Sequence, residues 1–126
     1  MGTTYFNLGG GDYFQDWSNA GLITTNDDWS GVANIAGYRG DDVTSATGAD
    51  PRNLTGDGTI TLDVNANQTN PNTFTTGGVT EFAIANPTIA LTGSGTADAP
   101  YIVLHLDATA RQNLHLDVDI RDLETA

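Results

Sequence analysis

Cysteine and lysine are both absent from this sequence, and its four basic residues are all arginines. With no thiol there is no disulfide, no thiolate nucleophile and no cysteine metal cage. If such a small protein is secreted, its stability must come from core packing, bound ions or assembly. No run of 18 apolar residues occurs, so no membrane-spanning helix is expected. There is no GxSxG elbow, HExxH pair, P-loop or dinucleotide fingerprint. Apolar residues make up only 38%, and the abundance of Thr, Asn, Asp and Gly favours turns and pleated strands over long helices.

Negative charge is what the chain has in excess. Sixteen acidic residues leave a net charge of -12. Such a field repels phosphate backbones and offers anionic lipid no basic patch, so nucleic acid and membrane surfaces are not expected partners. A dense acidic surface is tolerated where multivalent cations or salt screen it. That points to calcium-containing media and an extracellular, secreted or cell-surface location. The first residues show no secretory leader pattern, which does not exclude export because leaders are removed. At 126 residues and 13.2 kDa, one domain over 1–126 is expected.

The strongest pattern lies in 99–123, APYIVLHLDATARQNLHLDVDIRDL. Its apolar residues take even positions: Ile102, Leu104 and Leu106, then Leu114, Leu116, Val118 and Ile120. His105, Asp107, His115, Asp117, Asp119 and Arg121 take odd ones. A period of two predicts two half-buried strands, joined by the short polar stretch 108–113 into an antiparallel hairpin that walls the core. Leu116 is then a core residue.

Further strands are expected at 3–8 (TTYFNL), 20–25 (AGLITT), 32–38 (VANIAGY) and 59–64 (TITLDV), the last with Ile60, Leu62 and Val64 inward. Residues 65–72 (NANQTNPN) read as a polar linker. One or two strands follow in 73–85, with Phe82 and Ile84 inward, and another in 88–92, with Ile89 and Leu91 together. Seven or eight short strands without a convincing helix predict an all-β fold, an antiparallel β-sandwich or jelly roll.

The longest irregular piece, 39–58, holds four aspartates and four glycines in RGDDVTSATGADPRNLTGDG. A loop of that length is usually functional, ion-bound or disordered. Calcium takes six to eight oxygens, and Asp41, Asp42, Asp50 and Asp57 are the best donors for it, with Asp27 and Asp28 as an alternative cluster. EF-hand spacing is absent. Arg39-Gly40-Asp41 spells an integrin-type tripeptide, and Arg39 paired with an acid explains it equally well.

Two histidines, His105 and His115, face outward in the predicted hairpin, where Asp107 and Asp117 could join them around a transition metal; exposed surface residues are the simpler reading. Tyr13, Phe14 and Trp17 are expected to plug one end of the core, and with Trp29 and Tyr38 they form the alternative of a sugar-stacking platform. Most carboxylates sit in open glycine-rich loops, where the raised pKa of a glycosidase acid is hard to achieve, so catalysis is not expected. Asn53-Leu54-Thr55 and Asn67-Gln68-Thr69 match the glycosylation sequon.

The strings DDWSGVANIAGYRGDDVTSATGADP, VNANQTNPNTFTTGGVTEFAIANPTIALTGSGTADAPYIVLHLD and NLHLDVDIRDLE together resemble a module of large secreted bacterial multidomain proteins. That module often stands ahead of extracellular nuclease or phosphatase domains. The likeness runs from about Tyr5 onward and is most specific over 65–98. It implies a β-sandwich of non-catalytic role and carries over no catalytic residues. In the family the chain continues beyond a segment like 117–124, so the expectation is an incomplete sandwich whose missing strands come from another chain. The leading functional expectation is a calcium-stabilised, non-catalytic module for assembly or attachment that associates through open strand edges with a protein partner or with itself. A carbohydrate-binding module with a glycan ligand and an accessory domain of a secreted hydrolase are the alternatives.

Overall fold

The computed structural model describes residues 4–40 and 62–123. Seven short strands occur among them, with two single-turn 3-10 helices, Leu8–Gly10 and Ala20–Leu22. The strands are β1 (Phe6–Asn7), β2 (Ile35–Tyr38), β3 (Asn65–Gln68), β4 (Gly78–Phe82), β5 (Thr88–Thr92), β6 (Tyr101–Leu104) and β7 (Leu106–Asp107). They form a three-stranded sheet, β3-β4-β5, and two pairs, β2-β6 and β1-β7. The β-rich expectation therefore holds. The expectation of purely antiparallel pairing does not, because β1-β7 and β3-β4 are parallel.

Strands are short because asparagine and aspartate compete for the backbone. The side-chain oxygens of Asn7, Asp16, Asn19, Asp28, Asn70 and Asp107 each accept the N–H two residues on. These Asx turns replace ladder bonds and break up extended runs. At Asn19 the turn opens the 3-10 helix that stands where a strand over 20–25 was predicted. Ile23, just beyond it, still reaches the core.

The core gathers Ile23, Trp29, Val32, Ile35, Val64, Ala66 and Val79, with Tyr13, Trp17, Leu22, Ile89 and Leu104 packed against it. Trp29 is its largest member. Its Nε1–H donates to the Asp63 carbonyl at 3.0 Å, and Trp17 meets it edge-on at 6.4 Å between ring centroids. Gly37 makes this possible: a Cβ there would lie 2.4 Å from the indole.

Residues 65–68, expected as a linker, form a strand because their polar side chains face acceptors and donors on both sides. Asn65 Nδ2 donates to the Val79 carbonyl, and the Asn67 N–H donates to Glu81 Oε2. On the outer side, Asn26 Oδ1 accepts from the Ala66 N–H and Asp27 Oδ1 from the Val64 N–H. An Asn/Asp turn thus covers the β3 edge that another strand would otherwise need. Among the described residues β5 keeps a neighbour on one side only.

The predicted hairpin is overturned. β6 pairs antiparallel with β2, from Ile35 opposite Leu104 to Tyr38 opposite Tyr101. Residues 114–123 lie in no strand, and Leu114, Leu116, Val118 and Ile120 are 59, 78, 62 and 90% exposed. Alternation specifies an apolar face but not its partner, and β2, 60-odd residues upstream, takes the place assigned to 114–123. The in/out pattern of the first half also changes. Ile102, within β6, is exposed, and His105, where the strand breaks, is buried. Its N–H donates to Asn34 and its carbonyl accepts from Phe6, passing the chain from the β2 pairing to the β1 pairing.

A polar cleft built on the Arg39–Asp63 pair

The end of β2, the approach to β3 and the approach to β4 surround a polar cleft of about 250 Å³. Asp63 forms its base. Its side chain sits where Gly78 has none: a Cβ on Gly78 would approach Asp63 Oδ2 to 2.1 Å, and Gly78 has φ of +114°. Only glycine adopts that backbone without strain. Asp63 Oδ2 accepts the Val79 N–H at 2.6 Å, and Oδ1 faces Arg39 Nε at 3.7 Å. Burial pushes the Asp63 carboxyl above the usual range; the Val79 N–H opposes this, Asp27 adds to it, and Arg39 opposes it again.

Around this base stand Asn26, Asp27 and Asn65, with Thr76 and Thr96 completing the rim. Each of the first three is tied to backbone by one polar atom: Asn26 and Asp27 through Oδ1, Asn65 through Nδ2. Among the described residues no second protein group takes their other polar atom. The cleft therefore presents fixed donors and acceptors toward solvent, with one guanidinium set against two carboxylates.

Of the candidate calcium residues, Asp41, Asp42, Asp50 and Asp57 lie outside the described residues. Asp27 and Asp28 do not act together. Asp27 turns to the cleft, whereas Asp28 accepts from Ser30, whose hydroxyl and N–H hold its carboxyl below the usual range. Among the described residues no three His, Cys, Asp or Glu side chains come together as a metal cage. His105 is buried against Tyr5, at 5.4 Å between centroids, while His115 lies in the exposed segment 114–123, so the two do not pair. Arg39 pairs with an acid, Asp63, as one of the two readings of its tripeptide has it, with its own side chain partly exposed.

Tyr13 and Trp17 pack against the core as expected, but Phe14 is 81% exposed. Trp29 and Tyr38 are buried, Tyr38 stacked on Tyr101 at 5.2 Å, so neither belongs to a surface platform.

Sequence reasoning missed two buried acids. Asp63 was expected outward, opposite Leu62 and Val64, but both Asp63 and Val64 are enclosed. Glu81, 4% exposed, was not singled out. Its Oε2 accepts the Asn67 N–H at 2.6 Å, and burial raises its pKa. The one available signal was Gly77-Gly78 ahead of an apolar run, a place where backbone or carboxylate can approach closely.

Comparison with known proteins finds no matching family model, no matching curated protein and no matching solved structure.

Proposed function

We propose that this chain is a non-catalytic, β-rich assembly module that associates with a second copy of itself by strand addition through residues 114–123. The observation that carries the reading is the row Leu114, Leu116, Val118 and Ile120, exposed on alternate positions of a segment that pairs with no strand among the described residues. Alternation of this kind matches the pleat of a sheet, and among the described residues β5 has a neighbour on one side only. Adding the segment to such an edge satisfies backbone groups and buries the apolar row together. Arg121 already reaches toward that region, donating through Nη2 to the Asn86 carbonyl just before β5.

A secreted or cell-surface setting suits this reading, because salt and divalent ions there screen the net charge of -12 that opposes contact between copies. Calcium at Asp41, Asp42, Asp50 and Asp57 belongs to the same proposal.

Sedimentation velocity at micromolar concentration tests it. A species of twice 13.2 kDa is expected, strengthened by added salt, and Leu116→Asp with Ile120→Asp should return it to the monomer. A single well-folded 13.2 kDa species at low and high salt would overturn the proposal.

A further inference from the structure

We propose that the cleft at Arg39 and Asp63 is a binding site for a neutral, hydroxyl-rich ligand of the size of one sugar ring. Its lining is matched to hydroxyl groups by the atoms left open. Asn26 Nδ2 and the Arg39 Nη groups are donors, while Asp27 Oδ2 and Asn65 Oδ1 are acceptors. A hydroxyl both donates and accepts, so neighbouring hydroxyls on a ring can use both kinds at once. Thr76 and Thr96 add two groups of the same dual character at the rim.

Charge rules out the two simpler ligand classes. An anion attracted to Arg39 meets the carboxylates of Asp27 and Asp63, which leave the cleft with an excess of one negative charge. A bare cation meets the Arg39 guanidinium, which already faces Asp63 Oδ1. A neutral polyol carries neither penalty.

The site is also built before any ligand arrives. Asp63 is held over Gly78 by the Val79 N–H, and Asn26, Asp27 and Asn65 are each anchored to the backbone around β3 and β4. Side chains fixed in this way lose little freedom on binding. The volume of about 250 Å³ falls just below the roughly 300–1,000 Å³ of sites for drug-sized molecules, which limits the ligand to a single ring. Among the described residues no aromatic face lines the cleft, so apolar stacking contributes nothing and binding is weak, with a Kd on the order of 10 mM.

The test is titration of the 15N-labelled full chain with methyl glycosides of glucose, galactose and mannose, alongside glycerol, inorganic phosphate and calcium chloride. Saturable shifts are expected with at least one glycoside, concentrated at the amides of residues 26, 27, 65, 77 and 96. Arg39→Gln should weaken that binding by at least about fivefold, as expected for loss of a charged donor. Because Arg39 also faces buried Asp63, Thr96→Val serves as a second variant at an exposed rim position and should weaken binding by about two- to threefold without disturbing the fold. Absence of saturation up to about 200 mM of every glycoside would overturn the proposal, as would saturable binding of phosphate or calcium at these residues.

Discussion

Glu81 and Asp63 are acids enclosed by the fold, 4 and 7% exposed. Burial raises both carboxyl groups, and each keeps one backbone N–H as a partner, from Asn67 and Val79 respectively. Glu81 Oε1 and Thr80 Oγ1 are buried with no partner among the described residues. The folded protein therefore holds these protons more tightly than the unfolded chain. Their contribution to stability is full below the ordinary carboxylate pKa of about 4 and is lost as pH rises through the raised values. Asp16, Asp28 and Asp107, lowered by hydrogen bonds from Ser18, Ser30 and Thr109, act in the opposite sense and lose their contribution as pH falls below about 4. The Tm at pH 5 should accordingly exceed that at pH 7.5. Glu81→Gln, which keeps an acceptor for Asn67 and removes the buried charge, should shrink the difference. A wild-type Tm that falls on going from pH 7.5 to 5 would contradict the assignment.

At the scale of elements, β4 and the segment 114–123 exchange the importance that hydrophobic patterning assigns them. Every residue of β4 is buried, between β3 on one side and β5 on the other. Val79→Ala removes two methyl groups from a fully enclosed position and should cost about 1.5–3 kcal/mol in denaturant unfolding. Leu116→Ala, at a side chain 78% exposed, should change monomer stability by less than about 0.5 kcal/mol while weakening association. A Leu116→Ala loss of roughly 2 kcal/mol or more in the dilute monomer would restore the hairpin that the structure rejects.

The whole molecule is governed by its charge. Sixteen acids against four arginines repel one another across a small body, and no lysine relieves them. Sodium chloride raised from about 0.02 to 0.5 M should increase the Tm by screening alone. Calcium at about 1 mM should add a further increase at matched ionic strength, and Asp41→Asn with Asp42→Asn should remove that increment. Equal Tm values with calcium and with chelator would dispose of the calcium reading.

Composition and charge were decided by local chemistry and could be read directly. The β-rich character, the strand at 88–92, the polar connection at 93–100 and the inward placement of Phe82 and Val64 all follow from alternation, Asn-Pro breaks and glycine clusters. Pairing was decided elsewhere. Nothing in the alternation of 101–104 and 114–120 says that the first strand joins β2 and leaves the second unpaired, since a pleated apolar face is the same whichever strand lies beside it. The cleft was hidden for the same reason. Arg39 and Asp63 are 24 positions apart, and Asn26 and Asp27 reach them only because their side chains substitute for a strand along the β3 edge. Asp63 reads as an outward strand residue until Gly78, distant in sequence, provides the space for its carboxylate. Periodicity records which face a side chain occupies, and only tertiary contact determines what that face meets.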